Sequence, residues 1–251
     1  MTDSAYDARL RANGRAVMLS NHIMSEVVGS YSDAEKAAIM RMLEEELSFR
    51  EQNRKRRLLK RAGFPTPKTF ANYDWTQARL PGGLSREDIV TCAFARDARN
   101  LVLYGPVGTG KTHMCVAIGT AACEMGMPVR YFTTTELVML LSRSKEDGSL
   151  ARLLRQLARA DILILDEFGY VPVDRDGARL LFQVISEAYE RQSLVITTNL
   201  DFSRWGTVLT DDQMAAAIID RVAHHGHLVV FEGESYRLRH ALMRPGGGGQ
   251  R

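Results

Sequence analysis

At 251 residues and 28.1 kDa, the chain has room for one large domain with a modest appendage, and too little for several independent domains. Its 45% hydrophobic and 25% charged residues are those of soluble globular proteins and exclude collagen-like, mucin-like and wholly disordered chains. A net charge of +3 with a pI near 8.8 points by itself to neither nucleic acid nor membrane. Cys92, Cys115 and Cys123 are odd in number and lack metal-ligand spacing, so neither a disulfide framework nor a zinc site is expected, and a reducing cytoplasm fits best. The opening residues show no basic segment followed by an apolar one. No stretch approaches the ~18 apolar residues of a membrane span, so neither export nor insertion is expected.

In chain order, a weak helical segment over residues 5–28 precedes a stronger one that opens at Ser32. There Ser32, Asp33, Ala34 and Glu35 have the form of a capping box. The run continues without Gly or Pro to Gly63, and Pro65 and Pro67 follow as a stop. Ile39, Leu43 and Leu47 fall four apart on one face and need the earlier segment as packing partner. The second half carries Arg50, Arg54, Lys55, Arg56, Arg57, Lys60 and Arg61 against one acid, Glu51, a local charge of +6 that leaves the rest of the chain at −3. Averaging over the chain hides this concentration.

From Thr69 onward, short apolar runs alternate with helical stretches. Residues 100–104, 129–132, 162–165 and 194–197 read as buried strands, with helices near 111–125, 135–143, 149–159 and 177–191. This alternation predicts an α/β fold with a parallel sheet. A helix near 211–223 and extended pieces at 228–231 and 236–239 follow, and residues 245–251, with four consecutive glycines, are expected to be disordered. The expected organisation is a helical N-terminal domain over 1–63, an α/β domain over 64–243 and a Gly-rich tail over 244–251.

Gly105, Pro106, Val107, Gly108, Thr109, Gly110, Lys111 and Thr112 satisfy G-x-x-x-x-G-K-[ST] between an apolar strand and a helix-forming run. Such a loop wraps phosphates with its backbone N–H groups at a positive helix N-terminus. Lys111 reaches the β- and γ-phosphates of ATP and Thr112 ligates Mg²⁺. About sixty residues beyond, the apolar run 162–165 ends in Asp166 and Glu167. Asp166 is expected to hold Mg²⁺ directly or through water, and Glu167 to polarise a water for in-line attack. A third buried strand ends in polar residues at Asn199, the candidate contact to the γ-phosphate or attacking water. Residues 198–201, Thr-Asn-Leu-Asp, lack the lysine of a guanine-reading motif, which disfavours a GTPase. His224, His225 and His227 lack acidic or cysteine ligands at helical spacing and read as a polar turn.

On a helix, Arg50, Arg54, Arg57 and Arg61 are spaced 4, 3 and 4 and form one stripe, flanked by Lys55 and Lys60. That geometry suits the phosphates of duplex DNA, with largely sequence-independent and salt-sensitive binding. The alternative for the stripe is a solvated charged face or a docking surface for acidic protein.

These motifs resemble those of the AAA+ ATPases, in their initiator and helicase-loader branch. Thr69, Phe70, Ala71, Asn72 and Tyr73 are similar to the segment that opens that ATPase core near the adenine. Asp220 and Arg221 resemble the place of the branch's arginine finger, with Arg204 the alternative. Tyr236, Arg237, Leu238 and Arg239 resemble the ending whose arginine, Arg237 or Arg239, senses nucleotide. The wording around the motifs, with His113 after the P-loop, Leu165 to Tyr170, and Asp220 to His227, is similar to the IstB-like family, ATP-binding helpers of insertion-sequence transposition. The resemblance implies a five-stranded parallel sheet in an AAA+ core and a homo-oligomer with ATP sites at subunit interfaces. It also implies assembly on DNA and recruitment or activation of a separately encoded transposase. A helicase loader acting on single-stranded DNA, and an ATP-driven switch on a protein partner, share the same motifs.

Overall fold

The computed structural model describes residues 3–71 and 73–235. The expected extended piece at 236–239 and the Gly-rich tail lie outside the described residues. The chain divides into two compact units, residues 1–57 and 58–251.

The first unit contains α1 (Asp3–Ala16), α2 (Asn21–Ser30) and most of α3 (Asp33–Ala62). The weak helical segment expected before Ser32 is thus two helices. Leu10, Met24, Val27, Met40 and Leu43 form its small core, with Ile39 packed at the edge. Met40 takes the central place that the four-residue spacing gives to Leu47, which is only half-buried. At the start of α3, the Ser32 backbone N–H donates to Glu35 Oε2 at 2.8 Å and its hydroxyl donates to the same oxygen at 2.6 Å. These bonds hold the Glu35 carboxyl below the usual carboxylate range.

The division between units falls six residues before the Gly63 boundary expected from the sequence. Leu58, Leu59 and Ala62 explain the difference, because they pack with the core of the second unit. That unit runs β1 (Ala78–Arg79), α4 (Arg86–Val90), α5 (Ala93–Arg96), β2 (Asn100–Tyr104), α6 (Lys111–Glu124), β3 (Val129–Thr133), α7 (Thr134–Glu146), α8 (Leu150–Leu157), β4 (Ile162–Phe168), α9 (Arg175–Ala188), β5 (Ser193–Thr198), α10 (Trp205–Leu209), α11 (Asp212–His224) and β6 (Gly226–Phe231). The sheet order is β1-β6-β2-β5-β4-β3.

Five strands are parallel, as expected. The sixth, β1, is two residues long and pairs antiparallel with β6, so the sheet has six strands. Both faces of the central strands are covered, which is why residues 162–165 and 194–197 read as apolar runs. On β4, Leu163 and Leu165 join Leu137, Leu181 and Ile218 on one face. Ile162 and Ile164 join Met114, Ile118 and Phe231 on the other. Asn100, 4% exposed, is satisfied by its neighbours: its Nδ2 donates to the Arg221 and Val222 carbonyls at 3.3 Å, and its Oδ1 accepts from Leu194 N at 2.9 Å. It ties the end of α11 to the sheet.

The three cysteines are free and buried. Burial pushes the Cys92 thiol up to about 12 and Cys123 up to about 11, so both stay protonated. Among the described residues no helix is long and apolar enough to cross a membrane.

Candidate functional site

The polar ends of β2, β4 and β5 open onto one cavity of about 470 Å³. Parallel strands bring their carboxyl ends to the same edge of the sheet, and ligands of open α/β sheets bind there. Val107, Gly108, Thr109, Gly110, Lys111, Thr112 and His113 line it, together with Glu167, Thr197, Tyr73 and Tyr170.

Residues 105–110 form the turn between β2 and α6. A Cβ at Gly105 would collide with the Phe231 carbonyl oxygen, and Gly110, the residue before α6, has φ +99°. Both positions require glycine. Lys111 is 5% exposed, and its Nζ donates to the Gly105 and Pro106 carbonyls at 2.6 Å. The Thr109 hydroxyl donates to the Pro106 carbonyl at 2.8 Å. The loop therefore curls around its own lysine at the N-terminus of a fourteen-residue helix, a cradle that fits phosphate.

Asp166 is 2% exposed and does not itself line the cavity. Its Oδ1 accepts from the Thr112 hydroxyl at 3.2 Å and from the Thr197 hydroxyl, and its Oδ2 accepts from the Tyr131 hydroxyl at 2.7 Å. Thr112 and Asp166 are the oxygen pair expected to hold Mg²⁺, and the structure brings them together. Glu167 lies where β4 breaks register with β5. Its φ of +58° turns the exposed side chain out of the sheet, and its N–H donates to the Thr197 hydroxyl at 2.9 Å.

Thr197 therefore links Asp166 to Glu167 and faces the cavity, which sequence reading missed. In sequence it is one more β-branched residue in a buried strand; only the break in β4 gives its hydroxyl two partners. Asn199 lies two residues beyond, outside the cavity lining, with a buried Oδ1 that has no hydrogen-bond partner among the described residues.

Tyr73 and His113 contact each other edge to face at 5.0 Å, and the His113 ring nitrogen Nε2 lies 3.1 Å from the Thr69 carbonyl. Phe70 is set back, stacked on Trp75 at 5.4 Å. Burial raises the Tyr73 phenol well above its ordinary value, keeping it neutral. These rings present an apolar wall suited to a base, and Lys68, Asp74 and Gln77 add polar groups beside it.

Arg221 lies away from the cavity. Its guanidinium sits 5.1 Å over the Phe182 ring and donates to the Ala217 carbonyl at 2.8 Å. Arg204 is exposed in a 3-10 turn. Asn72, Arg237 and Arg239 lie outside the described residues. The last described residue, Ser235, reaches Gly108, where a Cβ would collide with its side chain.

On α3, Arg50, Arg54, Arg57, Lys60 and Arg61 are exposed along one unbroken helix, and Lys55 is half-buried. Arg50 pairs with Glu46 at 2.6 Å and Lys55 with Glu51 at 2.8 Å. The side chains of Arg57, Lys60 and Arg61 enter no ion pair among the described residues. His225 at the turn after α11 pairs with Glu190 at 3.0 Å.

The family model described as IstB-like ATP binding protein matches residues 16–243. A protein named for ATP binding in insertion sequence IS21 of Pseudomonas aeruginosa is 36% identical over 200 residues, covering 78% of this chain and 74% of that one. Its counterpart in IS5376 of Geobacillus stearothermophilus is 32% identical over 221 residues and covers 88% of each. Among solved structures, the DnaC helicase loader superposes with a TM-score of 0.51 at 20% identity, over 59% of this chain and 89% of that one. DnaI does so with a TM-score of 0.51 at 19% identity, over 72% and 93%. The chain therefore shares the α/β fold of these two structures.

Proposed function

This chain belongs to the family of IstB-like ATP-binding proteins, and on that premise we propose an ATP-hydrolysing AAA+ regulator that oligomerises on duplex DNA and recruits or activates a transposase during transposition. The observation that carries the ATPase is the meeting of Thr112, Asp166 and Thr197 hydroxyl and carboxylate oxygens beside the P-loop and Glu167. The association of relatives with insertion sequences, carried in their names, supports the transposase partner.

In this reading the 105–112 backbone and the N-terminus of α6 hold the β- and γ-phosphates, and Lys111 places its charge between them. Thr112 and Asp166 would hold Mg²⁺, and the chemistry a cation would supply there is neutralisation of phosphate charge. Tyr73 and His113 wall the base, with Phe70 behind. Glu167 accepts the proton of the attacking water, and Thr197 fixes its backbone. Asn199 offers its buried oxygen near the end of β5. Arg221, away from its own cavity, serves a neighbouring subunit's γ-phosphate, and Arg237 senses nucleotide; such a site is complete only in the oligomer. The stripe on α3 follows the phosphates of the duplex.

The DNA claim is tested by replacing Arg54 and Arg57 with Glu. Duplex affinity measured by fluorescence anisotropy is expected to fall at least about 100-fold at moderate salt, with the salt slope reduced by about 2, while nucleotide affinity stays unchanged. Intact duplex affinity refutes the stripe. Preference of the wild-type protein for single strands over duplex supports the helicase-loader reading instead.

A further inference from the structure

We infer that Tyr131, on the strand next to β4, is a positioning residue for Asp166, holding its carboxylate for the Mg²⁺-nucleotide; this rests on the ATPase reading above. Tyr131 pairs in register with Ile164, two residues before Asp166, and is 6% exposed. Its hydroxyl donates to Asp166 Oδ2 at 2.7 Å, on the side away from the Thr112 and Thr197 hydroxyls that reach Oδ1. The Thr134 hydroxyl fixes the Asp166 carbonyl at 3.1 Å. With both carboxylate oxygens and the main chain bound, the carboxylate cannot rotate without breaking a buried hydrogen bond.

The kind of donor matters. A phenol orients the carboxylate without bringing a positive charge to it, so the negative charge remains for a divalent cation. The ring is set from behind by the edge of Phe64 at 6.0 Å and 67°. Outer partners that orient metal-binding carboxylates typically change metal affinity 10–100-fold when removed.

The test is equilibrium binding of a fluorescent, slowly hydrolysed ATP analogue to the full chain, titrated with Mg²⁺ and repeated in EDTA. Tyr131→Phe keeps the ring and removes the donor. The Mg²⁺ concentration at which affinity is half-enhanced is expected to rise about tenfold, with affinity in EDTA unchanged. An unchanged Mg²⁺ requirement overturns the inference, as does a parallel loss in EDTA, which marks a merely structural role. Should Tyr131→Phe fail to fold, Phe64→Leu carries the same test by loosening the ring while keeping its hydroxyl. It is expected to raise the Mg²⁺ requirement roughly threefold, an effect smaller than donor removal, and no shift overturns the inference. A wild-type chain that binds the analogue no better than Lys111→Ala sinks the ATPase reading itself, an outcome distinct from a Tyr131 variant matching an active wild type.

Discussion

Lys111→Ala is expected to weaken ATP binding by about 10²–10³-fold, from the loss of about 3–4 kcal/mol of charge-assisted hydrogen bonding to phosphate. Lys111 is buried at 5% exposure, and its ammonium is surrounded by the loop that would wrap the phosphates. Alanine leaves the turn without that cation. The fold should survive, because the Pro106 carbonyl keeps the Thr109 hydroxyl and the backbone conformation of Gly110, just before α6, is untouched. Titration of a fluorescent ATP analogue, with a thermal melt as control, checks this. Near wild-type affinity in a folded variant removes the P-loop from nucleotide binding.

Glu167→Gln should have the opposite signature: nucleotide is bound normally and turned over 10²–10⁴-fold more slowly, the range for loss of a general base. Glutamine preserves side-chain length, and the backbone at φ +58° keeps its hydrogen bond to Thr197. Only the proton acceptor is lost. Single-turnover hydrolysis measures it, and ATP-bound assemblies on DNA should persist. Unchanged turnover excludes Glu167 as the base.

The central strands β2, β4 and β5 were legible because they are buried on both faces, and residues 162–165 read as an unbroken apolar run. The P-loop was legible because its glycines have no structural substitute at Gly105 and Gly110. What stayed hidden depends on register and side-chain direction. β1 is two residues, Ala78 and Arg79, and owes its existence to pairing with Phe231 and Val230. Thr197 and Tyr131 looked like strand filling, and their hydroxyls gain meaning only when β3, β4 and β5 lie side by side with Asp166 between them. Asn199, a better polar signal in sequence, falls beyond the cavity lining. The basic residues of the stripe lie exposed on α3 apart from half-buried Lys55, whereas the Glu46 partner of Arg50 lay outside the window in which the charge was counted.

The roles proposed for Arg221 and for the basic stripe give the account its central claim, that ATP drives assembly of this chain on duplex DNA. Sedimentation velocity with a labelled duplex tests it most directly, comparing a slowly hydrolysed ATP analogue with ADP. The account predicts protein–DNA complexes containing several chains with the analogue and their loss with ADP. Complexes of the same size with either nucleotide, or a chain that stays monomeric on duplex with the analogue, would contradict it.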